Sequence, residues 1–231
     1  MMVHTEKQEK LVTRKAKALR RTAVFLLVAA LLQLTHLYEF FPASALWYAA
    51  EDVNCGRVRV IQRDWQVSGE GLGRLVYFGA NDNALLMAKS QWNPLYGWMG
   101  MVKSAVDCSA PGPYHALVSL QASASAEEDR WQSVTAWAFG RVEDPVIQTI
   151  EVRFRVNTGA RDGELLYEDR YVFSTSRESW MEKDGRDYFL LKMPDLSWSM
   201  EEVLSAQTIA CDGAGNPVAS CDEFYTDWTE M

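Results

Sequence analysis

The chain has 231 residues, of which 48% are hydrophobic and 12% aromatic, and its formal net charge is −8. This length allows one domain or two small ones. The apolar share excludes a wholly disordered chain, and the modest numbers of Gly and Pro exclude a collagen-like or Pro/Gly-rich repeat. The net acidity argues against nucleic acid as the main partner, because surfaces that bind phosphate backbones are basic.

The charge divides at one apolar segment near the start of the chain. Residues 1–21 carry seven basic and two acidic side chains, whereas residues 42–231 carry 16 basic and 28 acidic ones. Between them, residues 22–41 carry one formal charge, at Glu39. A basic head before an apolar run stays in the cytoplasm and sends the following chain across the membrane. We therefore expect a cytoplasmic head over 1–21, a transmembrane signal anchor over 22–41 and an acidic extracytoplasmic remainder.

The predicted anchor has the length of a membrane span, since a 20-residue helix is about 30 Å long, close to the thickness of a bilayer core. A cleaved signal peptide is the alternative, because the purely apolar stretch 23–32 resembles a signal h-region and residues 43–45 satisfy the small-x-small rule for cleavage near Ala45. A buried helix of a soluble protein is the third alternative. We favour the uncleaved anchor, because aromatic residues that suit a membrane interface lie at its C-terminal end and shortly after it. These residues are Tyr38, Phe40, Phe41, Trp47 and Tyr48.

All four cysteines lie downstream of the predicted anchor, and an even number in an oxidising compartment favours two disulfides. The sequence from Cys211 to Cys221 has the pattern of a hairpin, whose Gly/Asn/Pro turn would place the two Cβ atoms opposite each other. We therefore expect a Cys211–Cys221 disulfide, which leaves Cys55 and Cys108 as the second pair. Four unlinked thiols are the alternative.

Downstream of the anchor, period-2 alternation predicts antiparallel strands separated by turn residues. In residues 147–156 one alternating set, which includes Ile150 and Phe154, is expected to face inward, and the other, which includes Ile147 and Arg153, outward. Residues 198–206 have the pattern of one or two helical turns. The predicted strands are 56–66, 74–80, 84–92, 97–106, 114–123, 131–142, 146–156, 165–175, 187–193, 203–211 and 217–225.

The small and charged stretch 122–130 predicts a boundary between two extracytoplasmic domains. The first, 42–125, is expected to be β-rich. Regular strand lengths and turn signals in the second, 126–231, are typical of an immunoglobulin-like β-sandwich. The predicted fold class is therefore mainly β, with one N-terminal transmembrane helix.

The sequence contains few groups suited to catalysis. Outside the head and anchor it has one histidine, His115, and it contains no nucleophile elbow, P-loop, dinucleotide-binding or zinc-protease motif. The cysteines form no CxxC pair, so neither a metal nor a cofactor is expected. We therefore expect a protein that is not an enzyme. Two alternatives remain: a glycoside-cleaving carboxylate pair, and calcium in the oxygen-rich turns at Asp82, Asp184 and Asp212.

Nine tryptophans are the most suggestive binding residues, because exposed aromatic side chains form sugar-stacking platforms and anchors of protein interfaces. Trp137 alternates with Phe139 in a strand pattern and is expected in the core. The candidate ligand-binding residues lie next to predicted turns and are Trp92, Trp98, Trp180 and Trp198.

Two regions carry a resemblance to known proteins: YFGANDNALLMAKSQWNPLYGWMGM at 77–101, and VTAWAFGRVEDPVIQTIEVRF with YFLLKMPDLSW at 134–154 and 188–198. They resemble a broad class of uncharacterised exported or membrane-anchored proteins of Gram-positive spore-forming bacteria. In that class a segment ending in GW precedes a strand pair with the pattern G-x-[VI]-x-[DN]-P-x-[IV]. Here the pattern is matched by Gly140, Val142, Asp144, Pro145 and Ile147. The resemblance covers about residues 65–180 and implies a cell-envelope location, with no catalytic residues.

These patterns predict a single-pass, membrane-anchored, extracytoplasmic binding or interaction module of the cell envelope. Its expected partners are the membrane, through residues 22–41, and an envelope protein or cell-wall polymer. The alternatives are a glycan-acting envelope enzyme and an accessory subunit of a membrane complex.

Overall fold

A computed structural model describes residues 2–67, 73–123, 131–161, 164–199 and 204–225. Two helices precede the strands: α1, Met2–Leu34, and α2, Ser44–Asp52. The strands are β1 Arg59–Val67, β2 Gly73–Ala80, β3 Ala84–Asn93, β4 Gly97–Asp107, β5 Tyr114–Ser123, β6 Trp131–Val142, β7 Thr149–Arg161, β8 Glu164–Ser176, β9 Met181–Lys183, β10 Arg186–Ser199, β11 Leu204–Cys211 and β12 Pro217–Tyr225.

Helix α1 is offset from the predicted anchor. It ends at Leu34, because His36 adopts a left-handed backbone conformation, with φ 57°, that an α-helix does not allow. Residues 35–41 are therefore not helical, and the prediction of one helix over 22–41 is wrong in its last third. Among the described residues, no helix is both long enough and apolar enough to cross a membrane.

The mainly β prediction is confirmed, and each of the eleven predicted strands corresponds to an observed one. Three short elements are additional, namely helix α2, a 3-10 helix over Arg177–Ser179 and the three-residue strand β9. The helical turns predicted over 198–206 are wrong where the structure describes them, because residues 198 and 199 end β10 and residues 204–206 begin β11.

The strands form three antiparallel sheets of four strands each. We call them sheet A, in the order β1-β2-β3-β4, sheet B, in the order β5-β6-β10-β9, and sheet C, in the order β12-β11-β7-β8. The predicted boundary after residue 125 falls between β5 and β6, which are paired neighbours in sheet B. Most of the predicted linker, 124–130, lies outside the described residues. An immunoglobulin-like sandwich is not confirmed.

Sheet B is buried on both faces, as strand β6 shows. Trp137 and Phe139 pack with side chains of sheet A, whereas Ala136 and Ala138 pack with side chains of sheet C. A strand covered on both faces needs apolar residues at consecutive positions rather than alternation, which accounts for the run VTAWAFG. The expectation that Trp137 belongs to the core is confirmed.

Sheet A is covered on its other face by helix α2. Leu46, Ala49 and Ala50 of the helix pack against Tyr77 and Leu86 of the sheet. Ser44, in the predicted cleavage sequence, is buried in the first turn of this helix. The layers therefore follow one another in the order α2, sheet A, sheet B, sheet C.

Strand β7 shows the predicted inward set, since Ile150, Val152 and Phe154 are fully buried in the core between sheets B and C. Ile147 is also fully buried, so its predicted outward position is wrong. It precedes the strand, which begins at Thr149, and the strand alternation does not apply to it.

None of the four cysteines is in a disulfide, so the two predicted bridges are not present in this structure. In the β11–β12 hairpin, Cys221 pairs with Thr208 and Cys211 pairs with Pro217. The two cysteines are thus three ladder positions apart, about 10 Å along the strand, which exceeds the reach of a disulfide. The prediction that they face each other is wrong, because the turn covers only residues 212–216 and the ladder begins at Pro217, so Cys221 lies farther along β12 than Cys211 can reach.

Candidate interaction surface at the end of helix α1

Of the four candidate tryptophans, the structure brings two together. Trp92 on β3 pairs directly with Trp98 on β4. Trp180 lies elsewhere: its ring is half-buried, tilted against Phe189 and packed on the core between sheets B and C. Trp198 belongs to β10, opposite Gln132, and its side chain lies outside the described part of the structure.

Trp92 and Trp98 flank the tip of the β3–β4 hairpin, which has a locally determined shape. The Asn93 side-chain oxygen accepts hydrogen bonds from the backbone N–H groups of Leu95, at 2.8 Å, and Tyr96, at 3.3 Å. This is the Asx turn for which asparagine is favoured. The turn leaves Leu95 75% exposed and Tyr96 56% exposed, so the tip presents large apolar groups to its surroundings.

The hairpin tip is bound to the chain that follows helix α1. The N–H of Glu39 donates to the carbonyl of Tyr96, and the N–H of Trp98 donates to the carbonyl of Glu39, each at 2.9 Å. These bonds form a parallel bridge between Glu39 and Gly97. The segment after helix α1 is therefore hydrogen-bonded to the hairpin at Glu39.

A polar cluster stabilises the segment between α1 and α2, which we call the junction. The buried carboxylate of Glu39 accepts hydrogen bonds from the Gln33 side chain, at 2.5 Å, and from the Tyr48 hydroxyl, and it lies 3.2 Å from His36 Nδ1. The same Gln33 side chain accepts a bond from the N–H of Phe40 at 2.9 Å. Burial, followed by the Glu39 hydrogen bond and charge, raises the pKa of Tyr48, so this hydroxyl stays a donor at neutral pH. The cluster thus binds α1, the junction and α2 together.

Around this junction the surface is apolar. We define the helix-end surface as the exposed large apolar side chains of the junction, α2 and the hairpin. Its members are Leu37, Phe40, Phe41, Trp47, Trp92, Leu95 and Tyr96.

The C-terminal part of helix α1 exposes apolar side chains around its whole circumference. The five consecutive residues from Val24 to Val28 are all 47–69% exposed, and Leu31 and Leu34 are exposed as well. A helix that is apolar on every side requires an apolar environment. Arg20 and Arg21 end this stretch on the N-terminal side.

The structure also contains an open groove of about 480 Å³ between α2 and the start of β1, which sequence reasoning missed. Trp47, Glu51 and Arg57 contribute a ring and two opposite charges to its lining, and Glu51 is the one carboxylate among the described lining residues. The signal available in the sequence was the run SALWYAAED, which we interpreted as a cleavage sequence and interfacial aromatics rather than as a short helix.

The three oxygen-rich turns use their carboxylates within the protein. Asp82 pairs with Arg186 at 2.7 Å and Asp184 with Arg59 at 2.6 Å. Asp212 accepts hydrogen bonds from its own turn, including the N–H groups of Ala214 and Asn216. These are the ordinary structural uses of Asp in turns.

His115, the one histidine of the sequence outside the head and predicted anchor, is half-buried in β5. Burial and the charge of Arg141 lower its pKa, so the ring is neutral at pH 7. Sequence reasoning had placed it in a strand, and the structure confirms this position.

Comparison with known proteins found no similar protein: no protein-family model, no curated protein and no solved structure matches the chain.

Proposed function

We propose that this protein is a single-pass, membrane-anchored binding module of the cell envelope, with its β-sheets on the outer side of the membrane. The observation that carries the proposal is the exposed apolar stretch of α1. The residues from Val24 to Val28, together with Leu31 and Leu34, are 47–75% exposed, although leaving such side chains in water is unfavourable by about 25 cal/mol per Å². Lipid is the environment that covers all sides of such a helix.

The proposed span remains residues 22–41, with a helical and a non-helical part. The apolar part of the helix, residues 22–34, is about 20 Å long, which is shorter than a bilayer core. The non-helical part, 35–41, has backbone partners in the Gln33 side chain and in the hairpin. Irregular backbone is tolerated at membrane depth only where protein supplies such partners.

The charge distribution supports the orientation. Residues 1–21 carry a net +5 and lie before the apolar stretch, which favours a cytoplasmic head. The acidic β-region, with the groove beside α2, would then face outward. The envelope location implied by the sequence resemblance agrees with this orientation.

The proposal includes an immunoglobulin-like sandwich formed by sheets B and C. Its support is the strand order, in which β5, β6 and β10 are neighbours in one sheet, whereas β7, β8, β11 and β12 form the other. The chain thus passes between the two sheets after β6, after β8 and after β10, as in the Greek-key sandwiches of binding domains. Such a sandwich takes β5 as its first strand and begins at Tyr114.

In this module the groove beside α2 is the candidate ligand site. Trp47 offers an exposed ring, and Glu51 and Arg57 offer charges of both signs. A ring next to polar groups suits a glycan or an envelope polymer, which presents apolar sugar faces and hydroxyl groups.

Thiol labelling in intact cells tests the topology. Cys221 is exposed on β12 of sheet C. A membrane-impermeant maleimide is expected to label it in spheroplasts of intact cells, and Cys221→Ser is the matched control that should remove this label. A second variant adds Gln8→Cys to a chain whose Cys55, Cys211 and Cys221 are replaced by Ser, and this head thiol should be labelled only after lysis.

Fractionation of the labelled cells into membranes and medium distinguishes the anchored protein from a cleaved, secreted one. The labelled protein should pellet with membranes and retain its full mass. A shortened, labelled protein in the medium would indicate cleavage near Ala45. If Cys221 were labelled only after lysis, the proposed orientation would be wrong.

A further inference from the structure

We infer that the tip of the β3–β4 hairpin is a second membrane contact, which enters the lipid headgroup region beside helix α1. The inference rests on the proposed anchoring and adds that part of the β-region itself contacts lipid. The partner is the bilayer, and the contacting residues belong to the helix-end surface.

The first argument is position. Backbone hydrogen bonds join Tyr96 and Trp98 to Glu39, five residues after the last residue of α1. The tip therefore cannot move away from the helix end without breaking this bridge. Wherever the C-terminal end of α1 lies in the membrane, the hairpin tip lies close beside it.

The second argument is length. The apolar part of α1 spans about 20 Å, and Arg20 and Arg21 mark its other end, whereas a bilayer core is about 30 Å thick. When the two arginines lie at the cytoplasmic headgroups, Leu34 does not reach the outer headgroups. The junction and the hairpin tip must then approach the lipid, or the bilayer must become locally thinner.

The third argument is composition. From Ser90 to Val102 the sequence contains no charged residue, although the exported region is acidic overall. Trp92, Tyr96 and Trp98 lie in this segment, and Trp and Tyr are the residues enriched at membrane interfaces. A ring with a polar edge is suited to an environment that is apolar on one side and hydrated on the other.

The fourth argument is shape. Leu95 and Tyr96 protrude from the tip, while the Asn93 turn and the Gly97 bridge hold the backbone in place. Ordering the tip therefore costs little additional entropy on binding, because its conformation is already formed. Phe40 and Phe41 continue the same apolar surface towards α1.

Site-specific fluorescence in vesicles tests the inference on the full chain. The exposed and half-buried cysteines, Cys55, Cys211 and Cys221, are replaced by Ser, and an environment-sensitive fluorophore is attached to Leu95→Cys. Two further single-label variants serve as references. Phe25→Cys reports insertion of α1, and Ala214→Cys, in the exposed β11–β12 turn, reports an aqueous position. The proteins are reconstituted in phosphatidylcholine–phosphatidylglycerol vesicles with or without lipid-phase quenchers.

The expected result is a blue-shifted emission and loss of fluorescence to the lipid-phase quencher for the Phe25 and Leu95 labels, but not for the Ala214 label. If the Phe25 label is quenched by lipid while the Leu95 label responds only to aqueous iodide, the hairpin inference is overturned and the anchor stands. If neither is quenched by lipid, the anchoring proposal fails together with the inference.

A measurement without cysteine replacement guards against misfolded variants. Brominated lipids should quench part of the intrinsic tryptophan fluorescence of the native chain, and Trp92→Phe should reduce the quenched fraction. Trp180→Phe is the matched control, since Trp180 packs on the core between sheets B and C and its loss should leave the quenched signal unchanged. Equal effects of the two substitutions would overturn the inference.

Discussion

Gly97 lies directly against the backbone of Glu39, and this contact joins the β3–β4 hairpin to the end of helix α1. A Cβ atom at position 97 would collide with the Glu39 carbonyl, which accepts the hydrogen bond from the N–H of Trp98. Gly97 also has φ 76°, in the left-handed region that favours glycine. Both features make this position intolerant of any side chain.

We expect Gly97→Ala to destabilise the protein and to detach the hairpin from the helix end. The left-handed backbone alone costs about 1–2 kcal/mol for a residue with a Cβ, and the collision adds to it. Gly215→Ala is the matched control, because Gly215 has φ 83° but no atom close to the added Cβ. Denaturant unfolding should show a clearly larger loss for Gly97→Ala. Hydrogen exchange should show lost protection at the Trp98 amide in that variant alone, and equal losses would contradict the close contact.

The hydroxyl of Tyr48 is expected to stabilise the junction, because it donates a hydrogen bond to the buried Glu39 carboxylate. Tyr48→Phe removes this donor and keeps the ring. Leaving a buried charged group short of one partner costs about 1–3 kcal/mol. The free energy of unfolding should fall by this amount in urea titrations.

Tyr96→Phe is the control for that substitution, since it removes a hydroxyl from an exposed ring at the hairpin tip. Its effect should stay within about 0.5 kcal/mol, as for ordinary surface substitutions. If Tyr48→Phe had the same small effect, the polar cluster would contribute little to the junction.

The sequence predicted the strands well because local signals determine them. Alternation identified β7, and turn residues such as Asn81 and Asp212 marked hairpins. In the structure the side-chain oxygens of these two residues accept hydrogen bonds from backbone N–H groups of their own turns. Continuous apolar runs in β5 and β6 were correctly interpreted as strands. Their burial on both faces did not follow, because it depends on which sheets cover them.

The junction could not be predicted in the same way. From the sequence, Gln33 and Glu39 belong to the predicted span and Tyr48 to the interfacial aromatic residues. Their mutual hydrogen bonds arise only after the chain turns at His36. A left-handed histidine has no strong local signal. The hairpin of Cys211 was predicted correctly, but its register depends on where the turn closes, and the turn closes at Pro217 rather than near Cys221.

Arg141 is expected to hold sheet A on sheet B. This buried residue of β6 donates from Nη1 to the carbonyl of Asn81 at 2.9 Å and of Asp82 at 3.3 Å, in the β2–β3 turn, and it pairs with Glu143. Arg141→Met keeps the apolar volume but removes these donors. We expect a loss of about 1–3 kcal/mol, because the turn carbonyls lose a charged partner. Arg57→Met, at an exposed position, is the control.

Hydrogen exchange locates the effect of Arg141→Met. Amides of the β2–β3 turn and of the adjacent sheet A strands, where the Arg141 hydrogen bonds end, should lose protection more than those of sheet C. A uniform loss over all three sheets would contradict a local role and would indicate general destabilisation.

The four cysteines are expected to differ strongly in reactivity in the folded protein. Cys221 is exposed, whereas Cys108 is 4% exposed. Burial raises the pKa of Cys108 from about 9 to about 11, despite the opposing charge of Arg141. Because the thiolate is the reactive form, Cys108 should be alkylated much more slowly at pH 8, and mass spectrometry of timed samples measures the order.

The pH dependence of this alkylation has a definite sign. The folded protein favours the neutral Cys108 thiol, so the associated stabilisation is present below pH 9 and is lost as the pH rises from about 9 through about 11. Alkylation of Cys108 should accelerate over the same interval. Alkylation in denaturant without a reductant provides the control: a buried thiol then reacts as fast as Cys221, whereas a Cys55–Cys108 disulfide would leave both residues unmodified. Rapid alkylation of Cys108 in the folded protein at pH 8 would contradict its burial.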